Sequence, residues 1–341
     1  MRSVRLHSYN QSPSIDLVPE PEISHPFDVL VRIGGAGLCR TDIHIVEGQW
    51  REKSGVALPY TLGHENAGWV AAVGSAVEHF SVGDPVIVHP LATCGFCLAC
   101  RAGNDMHCMS SAFPGIDSDG GFAEVLRTNA RALVKLEGGL SPADVAALAD
   151  AGLTAYHAVR KASPLLPPGS SAVVIGAGGL GHIAIQVLAA VTEAEIIVVD
   201  RSEAALDMAS SFGAHYQVLA DGSEVASVMD LTGGKGVQVV LDFVAEGGAE
   251  RRGPAMLQRA GSYFVVGYGG TVELATIDII SSELNVVGNL VGSYTDLVEL
   301  MALAARGSVT LHTAKYPLDA FAQAFEDLQA GRVRGRAILV P

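Results

Sequence analysis

Residues 162–192 contain no Asp, Glu, Lys or Arg, and an apolar stretch of that length can cross a bilayer as a helix. Its helix breakers exclude that reading. Pro164, Pro167, Pro168 and Gly169 interrupt the start, and Gly176, Gly178, Gly179 and Gly181 fall in the middle, a density that a lipid-facing helix does not carry. The arrangement that buries so apolar a segment is a strand, a glycine turn and a helix inside a protein core. Residues 171–175 (SAVVI) form a short β-branched run, and Gly176-Ala177-Gly178-Gly179-Leu180-Gly181 follows at once. Leu180, Ile183, Ala184, Val187, Leu188 and Val191 then recur at helical spacing,. A second β-branched run, residues 196–199, ends on Asp200.

G-x-G-x-x-G alone is weak evidence. Set between a strand and a helix, with an acid closing the next strand, it reads as a dinucleotide site. Gly176 permits the tight turn, Gly178 lets the backbone approach a pyrophosphate, and Gly181 lets helix and strand pack closely. The helix N-terminus turns free N–H groups and a positive dipole end toward the phosphates. Asp200 can accept hydrogen bonds from the adenosine ribose hydroxyls and repels a 2′-phosphate, which favours NAD over NADP. Arg201 works in the opposite direction, because an arginine just past this strand can receive a 2′-phosphate. The weight falls on Asp200.

Beyond Asp200 the pattern alternates. Residues 203–212 and 223–231 read as helices, and residues 237–244 and 262–267 as strands. Alternation of this kind makes a doubly wound parallel sheet with ligand at the carboxyl ends of its strands. A chain of 341 residues has room for a second domain,. The formal charge of −14 argues against nucleic acid and against anionic membrane surfaces as partners,.

Four of the five cysteines, Cys94, Cys97, Cys100 and Cys108, lie in one short stretch spaced C-x2-C-x2-C-x7-C. Four soft sulfurs so close together suit a tetrahedral Zn2+ with no open position, a structural site. Disulfides fit less well, because the N-terminus begins no secretory signal. An iron–sulfur run of the C-x2-C-x2-C-x3-C-P kind differs in its last spacing. The fifth cysteine, Cys39, stands apart and is the candidate for a reactive site.

Cys39 opens Cys39-Arg40-Thr41-Asp42-Ile43-His44, and a second segment reads Gly63-His64-Glu65. With these motifs, the cysteine lobe and the glycine turn in that order, the chain resembles the zinc-dependent alcohol dehydrogenases of the medium-chain dehydrogenase/reductase superfamily along essentially its whole length. Within them it looks closest to bacterial members that act on secondary alcohols and aryl ketones. The resemblance implies an α/β protein: a Rossmann domain at 153–289 and a discontinuous β-rich, GroES-like catalytic domain at 1–152 and 290–341, with the zinc lobe at 94–108. It implies a cytoplasmic homo-oligomer, a tetramer before a dimer, with two Zn2+ per chain and NAD(H), acting on a small alcohol or ketone.

The resemblance also assigns roles. Cys39 and His64 match two catalytic zinc ligands. Asp150, in Ala149-Asp150-Ala151-Gly152-Leu153-Thr154, takes the third position, where a second cysteine is commoner. The reading of Asp150 as a plain helix-start acid stands against this. Thr41 should hydrogen-bond the reacting oxygen, and His44 should relay its proton to solvent. Asp42 is placed to orient His64, and Glu65 to tune the metal from beside it. Arg40 and Arg336 match pyrophosphate contacts, Thr154 a contact beside the nicotinamide, and Gly176, Gly178, Gly179, Leu180, Gly181, Asp200 and Arg201 the dinucleotide turn. Trp50, His89 and Tyr294 are weighed as cleft residues and read as ordinary packing. Two other functions stay in view: a polyol or amino-alcohol dehydrogenase, and a non-catalytic zinc and dinucleotide-binding protein.

Overall fold

The computed structural model describes residues 1–341, which divide into two units. One comprises Met1–Leu153, Ser293–Gly307 and Leu311–Pro341; the other comprises Thr154–Gly292 and Ser308–Thr310.

In the second unit the charge-free segment folds as its residues dictate. Ser171–Ile175 is a strand, and Gly181–Val191 a helix buried along most of its length. The strand lies inside a six-stranded parallel sheet in the order Tyr216–Leu219, Glu195–Asp200, Ser171–Ile175, Val237–Asp242, Leu257–Val265, Asn285–Gly288. The chain order reverses beside Ser171–Ile175, the switch point at which such sheets bind ligand. Val173, Val174, Ile197, Val198, Val240 and Leu241 are fully or almost fully buried there, as strands covered on both faces require.

Two expected strands differ at their ends. Val237–Asp242 stops at Asp242, whose carboxylate accepts the N–H groups of Val244 and Ala245 and turns the chain. Leu257–Val265 begins five residues before the apolar run at Ser262; its polar start, Gln258-Arg259, hides it from a hydrophobicity reading. The helices Glu203–Ser211 and Glu224–Leu231 match expectation within a residue, with Ser202 and Ser223 at their N-caps.

The first unit is β-rich. Its main sheet runs Thr313–Pro317, Arg336–Val340, Asp28–Leu38, Glu65–Val73, Pro85–Val88, Leu133–Lys135, with Val125–Asn129 also paired on Asp28–Leu38. All neighbours are antiparallel except Thr313–Pro317 on Arg336–Val340. Asp28–Leu38 is the longest strand, and its C-terminal half is wholly buried. It delivers Cys39 to the interior, and its antiparallel neighbour begins at Glu65, so the register that pairs Gly37 with Glu65 brings both motif segments together. No helix is long and apolar enough to cross a membrane.

Candidate active site

Cys39 caps the helix Arg40–Val46 in extended backbone. Its N–H donates to Asp42 Oδ2 at 2.8 Å, and the Asp42 N–H returns to the Cys39 carbonyl at 3.0 Å. That reciprocal cap fixes Asp42, which is fully buried, with its other oxygen 3.3 Å from His64 Nδ1. Both ring nitrogens of His64 are buried, and the far one, Nε2, lies 3.5 Å from Asp150 Oδ2. Asp150 stands between the 3₁₀ turn Ala146–Ala149 and the helix Ala151–Ala162, partly open to solvent.

The ligand atoms of Cys39, His64 and Glu65 all lie within 4.8 Å of one another. Glu65 is fully buried; Oε1 accepts the Ala151 N–H at 3.2 Å, and Oε2 pairs with Arg336 Nη2. The strand partner must be glycine for this. A Cβ at Gly37 would lie 2.0 Å from Glu65 Oε2.

The electrostatics here favour positive charge. Burial works against the His64 imidazolium, but the carboxylates of Asp42 and Asp150 outweigh it and hold the ring well above its ordinary pKa. Burial also raises Glu65, and Arg336 offsets part of that. A buried imidazole set among a thiol and carboxylates offers the kind of donor set a divalent metal takes,. Tetrahedral ligands at Zn–N and Zn–O distances sit about 3.3–3.4 Å apart, close to the 3.5 Å between His64 Nε2 and Asp150 Oδ2. The donors present therefore fit zinc.

The other roles on the same helix fall on its less buried positions. Thr41 and His44 are half-buried, and Arg40 is exposed. Arg336, by contrast, is 4% exposed and sits in the cluster against Glu65.

The four-cysteine lobe is assembled as its spacing predicts. All four sulfurs lie within 4.8 Å of one another, with Cys97–Cys100 at 3.5 Å and Cys94–Cys100 at 3.9 Å. Thiolates on one tetrahedral Zn2+ are about 3.8 Å apart. The N–H groups of Phe96 and Cys97, with Cys108, pull the Cys94 thiol down to about 6, toward the thiolate a metal requires. An acid inside the lobe and a tyrosine outside it tie the lobe down. Buried Asp105 accepts the Tyr294 N–H at 3.1 Å, and the Tyr294 hydroxyl donates to the Leu133 carbonyl at 3.0 Å. Tyr294 is thus a structural strut, and His89, 1% exposed, packs near its ring. A lone acid in a polar lobe carries no periodic signal, so the part played by Asp105 is not legible in the sequence.

The second unit carries the dinucleotide turn. Gly176 has φ +89, and a Cβ at Gly181 would lie 1.7 Å from the Gly176 carbonyl oxygen. Gly178 is exposed and faces open space, which leaves its backbone accessible to a phosphate. Gly179 and Leu180 complete the turn, half-buried, and Leu180 caps the helix. Asp200 braces the turn from the next strand: Oδ2 accepts the Ala177 N–H at 2.7 Å and Oδ1 the Ser202 N–H at 2.8 Å. Each oxygen keeps a second lone pair for a ligand. Arg201 is exposed beside it, and Thr154 is half-buried at the unit's first residue.

Comparison with known proteins agrees with both halves. Residues 25–138 match the alcohol dehydrogenase GroES-like domain and residues 179–306 the zinc-binding dehydrogenase family. An NAD-dependent alcohol dehydrogenase of Sulfurisphaera tokodaii is 37% identical over the full length of both chains. The chain belongs to the zinc-type alcohol dehydrogenases of the medium-chain dehydrogenase/reductase superfamily. A solved alcohol dehydrogenase of the hyperthermophilic archaeon Aeropyrum pernix superposes at a TM-score of 0.97 with 46% identity, covering all of both chains. A D-arabinose 1-dehydrogenase (NADP(+)) of Saccharolobus solfataricus is 36% identical over all of this chain and 97% of its own. The Rossmann and GroES-like folds expected from the motifs are those of this family, and the chain is an oxidoreductase of the zinc-type alcohol dehydrogenase class.

Proposed function

We propose that the protein interconverts alcohols with ketones or aldehydes by hydride exchange with NAD(H), and that residues 1–152 and 290–341 carry the chemistry while 153–289 hold the dinucleotide. The observation that carries the reading is the convergence of Cys39, Glu65 and Asp150 on the buried ring of His64. Cys39, His64 and Asp150 would hold one zinc, with Glu65 beside it, and Cys94, Cys97, Cys100 and Cys108 a second.

A zinc with three protein ligands supplies a Lewis acid that favours the deprotonated alcohol or polarises a carbonyl, and NAD+ supplies the hydride acceptor. The chain's own groups do the rest. Asp42 fixes the His64 tautomer by facing Nδ1, which leaves Nε2 as the lone-pair donor,. Thr41 accepts the substrate hydroxyl proton in a hydrogen bond and orients the oxygen. His44, three residues along the same helix, is assigned the last step of the proton's exit to solvent. Arg40 is assigned to the pyrophosphate and Thr154 to the nicotinamide side; Arg336, also expected at the pyrophosphate, is buried against Glu65 and holds that carboxylate instead. Asp200 holds the adenosine ribose and disfavours a 2′-phosphate, so NAD is the preferred cofactor.

Secondary and aryl alcohols are the leading substrates by resemblance. A polyol or sugar is the second reading, favoured by the likeness to the D-arabinose enzyme. A panel of primary, secondary and aryl alcohols, polyols and aldoses with NAD+ and NADP+, followed at nicotinamide absorbance, separates them. Turnover of secondary alcohols with NAD+ supports the first reading; turnover confined to polyols or aldoses replaces it with the second. Tight NADH binding without turnover of any alcohol would overturn both. A homotetramer is the expected assembly, measured by light scattering.

A further inference from the structure

Asp242 is a fully buried carboxylate that the proposed chemistry does not use. It closes the strand Val237–Asp242, which lies on the opposite side of Ser171–Ile175 from Asp200 and its strand. In a doubly wound sheet the two sides of the switch point serve the two mononucleotide halves, and Asp200 marks the adenosine side. Asp242 therefore stands at the nicotinamide side.

Both of its oxygens are engaged. Oδ1 accepts the N–H groups of Val244 and Ala245, each at 2.8 Å, and Oδ2 accepts the Tyr263 hydroxyl at 2.6 Å. Ala245 is held at φ +47, a conformation that an alanine keeps only when its surroundings impose it,. The Ala245 carbonyl in turn accepts the Gly270 N–H at 2.8 Å. The clamped turn leans on the dinucleotide motif: a Cβ at Gly176 would lie 2.6 Å from Val244 Cγ2.

We infer that Asp242 is a positioning residue for the nicotinamide half of the dinucleotide, setting the turn 243–246 against Gly176 through its two backbone hydrogen bonds and its Tyr263 clamp. The inference rests on the reading of this unit as a dinucleotide site. It assigns to Asp242 a role in affinity for one half of the ligand, beyond support of the fold.

The test is equilibrium binding of NADH, by fluorescence, and of AMP, by calorimetry, to the full-length chain. Asp242→Ala removes the acceptor of both N–H groups and is expected to weaken NADH about tenfold while AMP stays within about twofold. Asp242→Asn keeps an oxygen for both N–H groups and an amide to meet the phenol, and should stay within about threefold of wild type. Tyr263→Phe frees one oxygen only and should weaken NADH about threefold, again without moving AMP; it decides the matter if Asp242→Ala does not fold. Unchanged NADH binding in these variants, or parallel losses for NADH and AMP, overturns the inference. Wild-type protein that binds no NADH overturns the dinucleotide reading and the inference with it.

Discussion

Asp42 Oδ1 faces His64 Nδ1 at 3.3 Å inside a fully buried pocket, while the other Asp42 oxygen is held by the Cys39 N–H. The cap of one short helix thus orients both a sulfur and an imidazole toward the same point. Asp42→Ala should release that orientation and lower zinc affinity at the Cys39/His64 site by about 10–100-fold. Competition against a graded series of chelators measures it, and an unchanged affinity would contradict the orienting role.

Glu65 and Arg336 form a buried pair beside this site. Arg336→Met should destabilise the protein by about 3–5 kcal/mol, because it leaves the Glu65 carboxylate buried with its cation gone. Arg336→Met combined with Glu65→Leu should recover most of that loss. Denaturant unfolding of the single and double variants gives the comparison, and additive losses would show that the two groups are not coupled.

Asp200 and Arg201 pull cofactor choice in opposite directions. Asp200→Gly should narrow the preference for NAD+ over NADP+ by at least about tenfold in kcat/KM, with Arg201 then free to meet a 2′-phosphate. Because Asp200 also accepts the Ala177 N–H, KM for NAD+ should rise as well. A wild-type preference for NADP+ would reverse the weighting of these two residues.

Acid should loosen the first unit at the Arg2–Glu124 contact. The Arg2 backbone N–H and guanidinium hold Glu124 below the ordinary glutamate pKa. A carboxyl depressed in the folded state contributes stability that is complete above its unfolded pKa and is lost as pH falls through the folded one. The pair is about a third exposed, so solvent screens it and the contribution is small. Glu124→Gln should therefore flatten the fall in stability just below the unfolded glutamate pKa, measured by urea midpoints across that range. An unaltered acid limb would remove Glu124 from the account.

Much of this was legible in the chain. The strand Ser171–Ile175, the glycine turn and the helix after it follow from β-branching and glycine spacing alone, because a dinucleotide turn leaves few backbone choices. The cysteine lobe is equally local. What the sequence did not disclose is long-range. The place of Glu65 beside Cys39 and His64, expected from the family resemblance, is produced by an antiparallel register that sets Glu65 opposite Gly37, and that register is not written in composition. The same holds for Asp105 under Tyr294 and Asp242 under Tyr263, single acids whose partners lie 189 and 21 residues away. Asp150 lies between these cases. Its position before Ala151 is visible in the sequence, but its approach to His64 Nε2 is visible only in the structure.

Asp150→Ala, purified beside wild type and analysed for zinc per chain, tests the central claim most directly. Wild-type protein should carry two zinc ions. The variant should retain about one, held by the four cysteines, with turnover lowered at least about a hundredfold and NADH binding intact. Two zinc ions and full turnover in Asp150→Ala would contradict the account and return Asp150 to the role of an acid at a helix start.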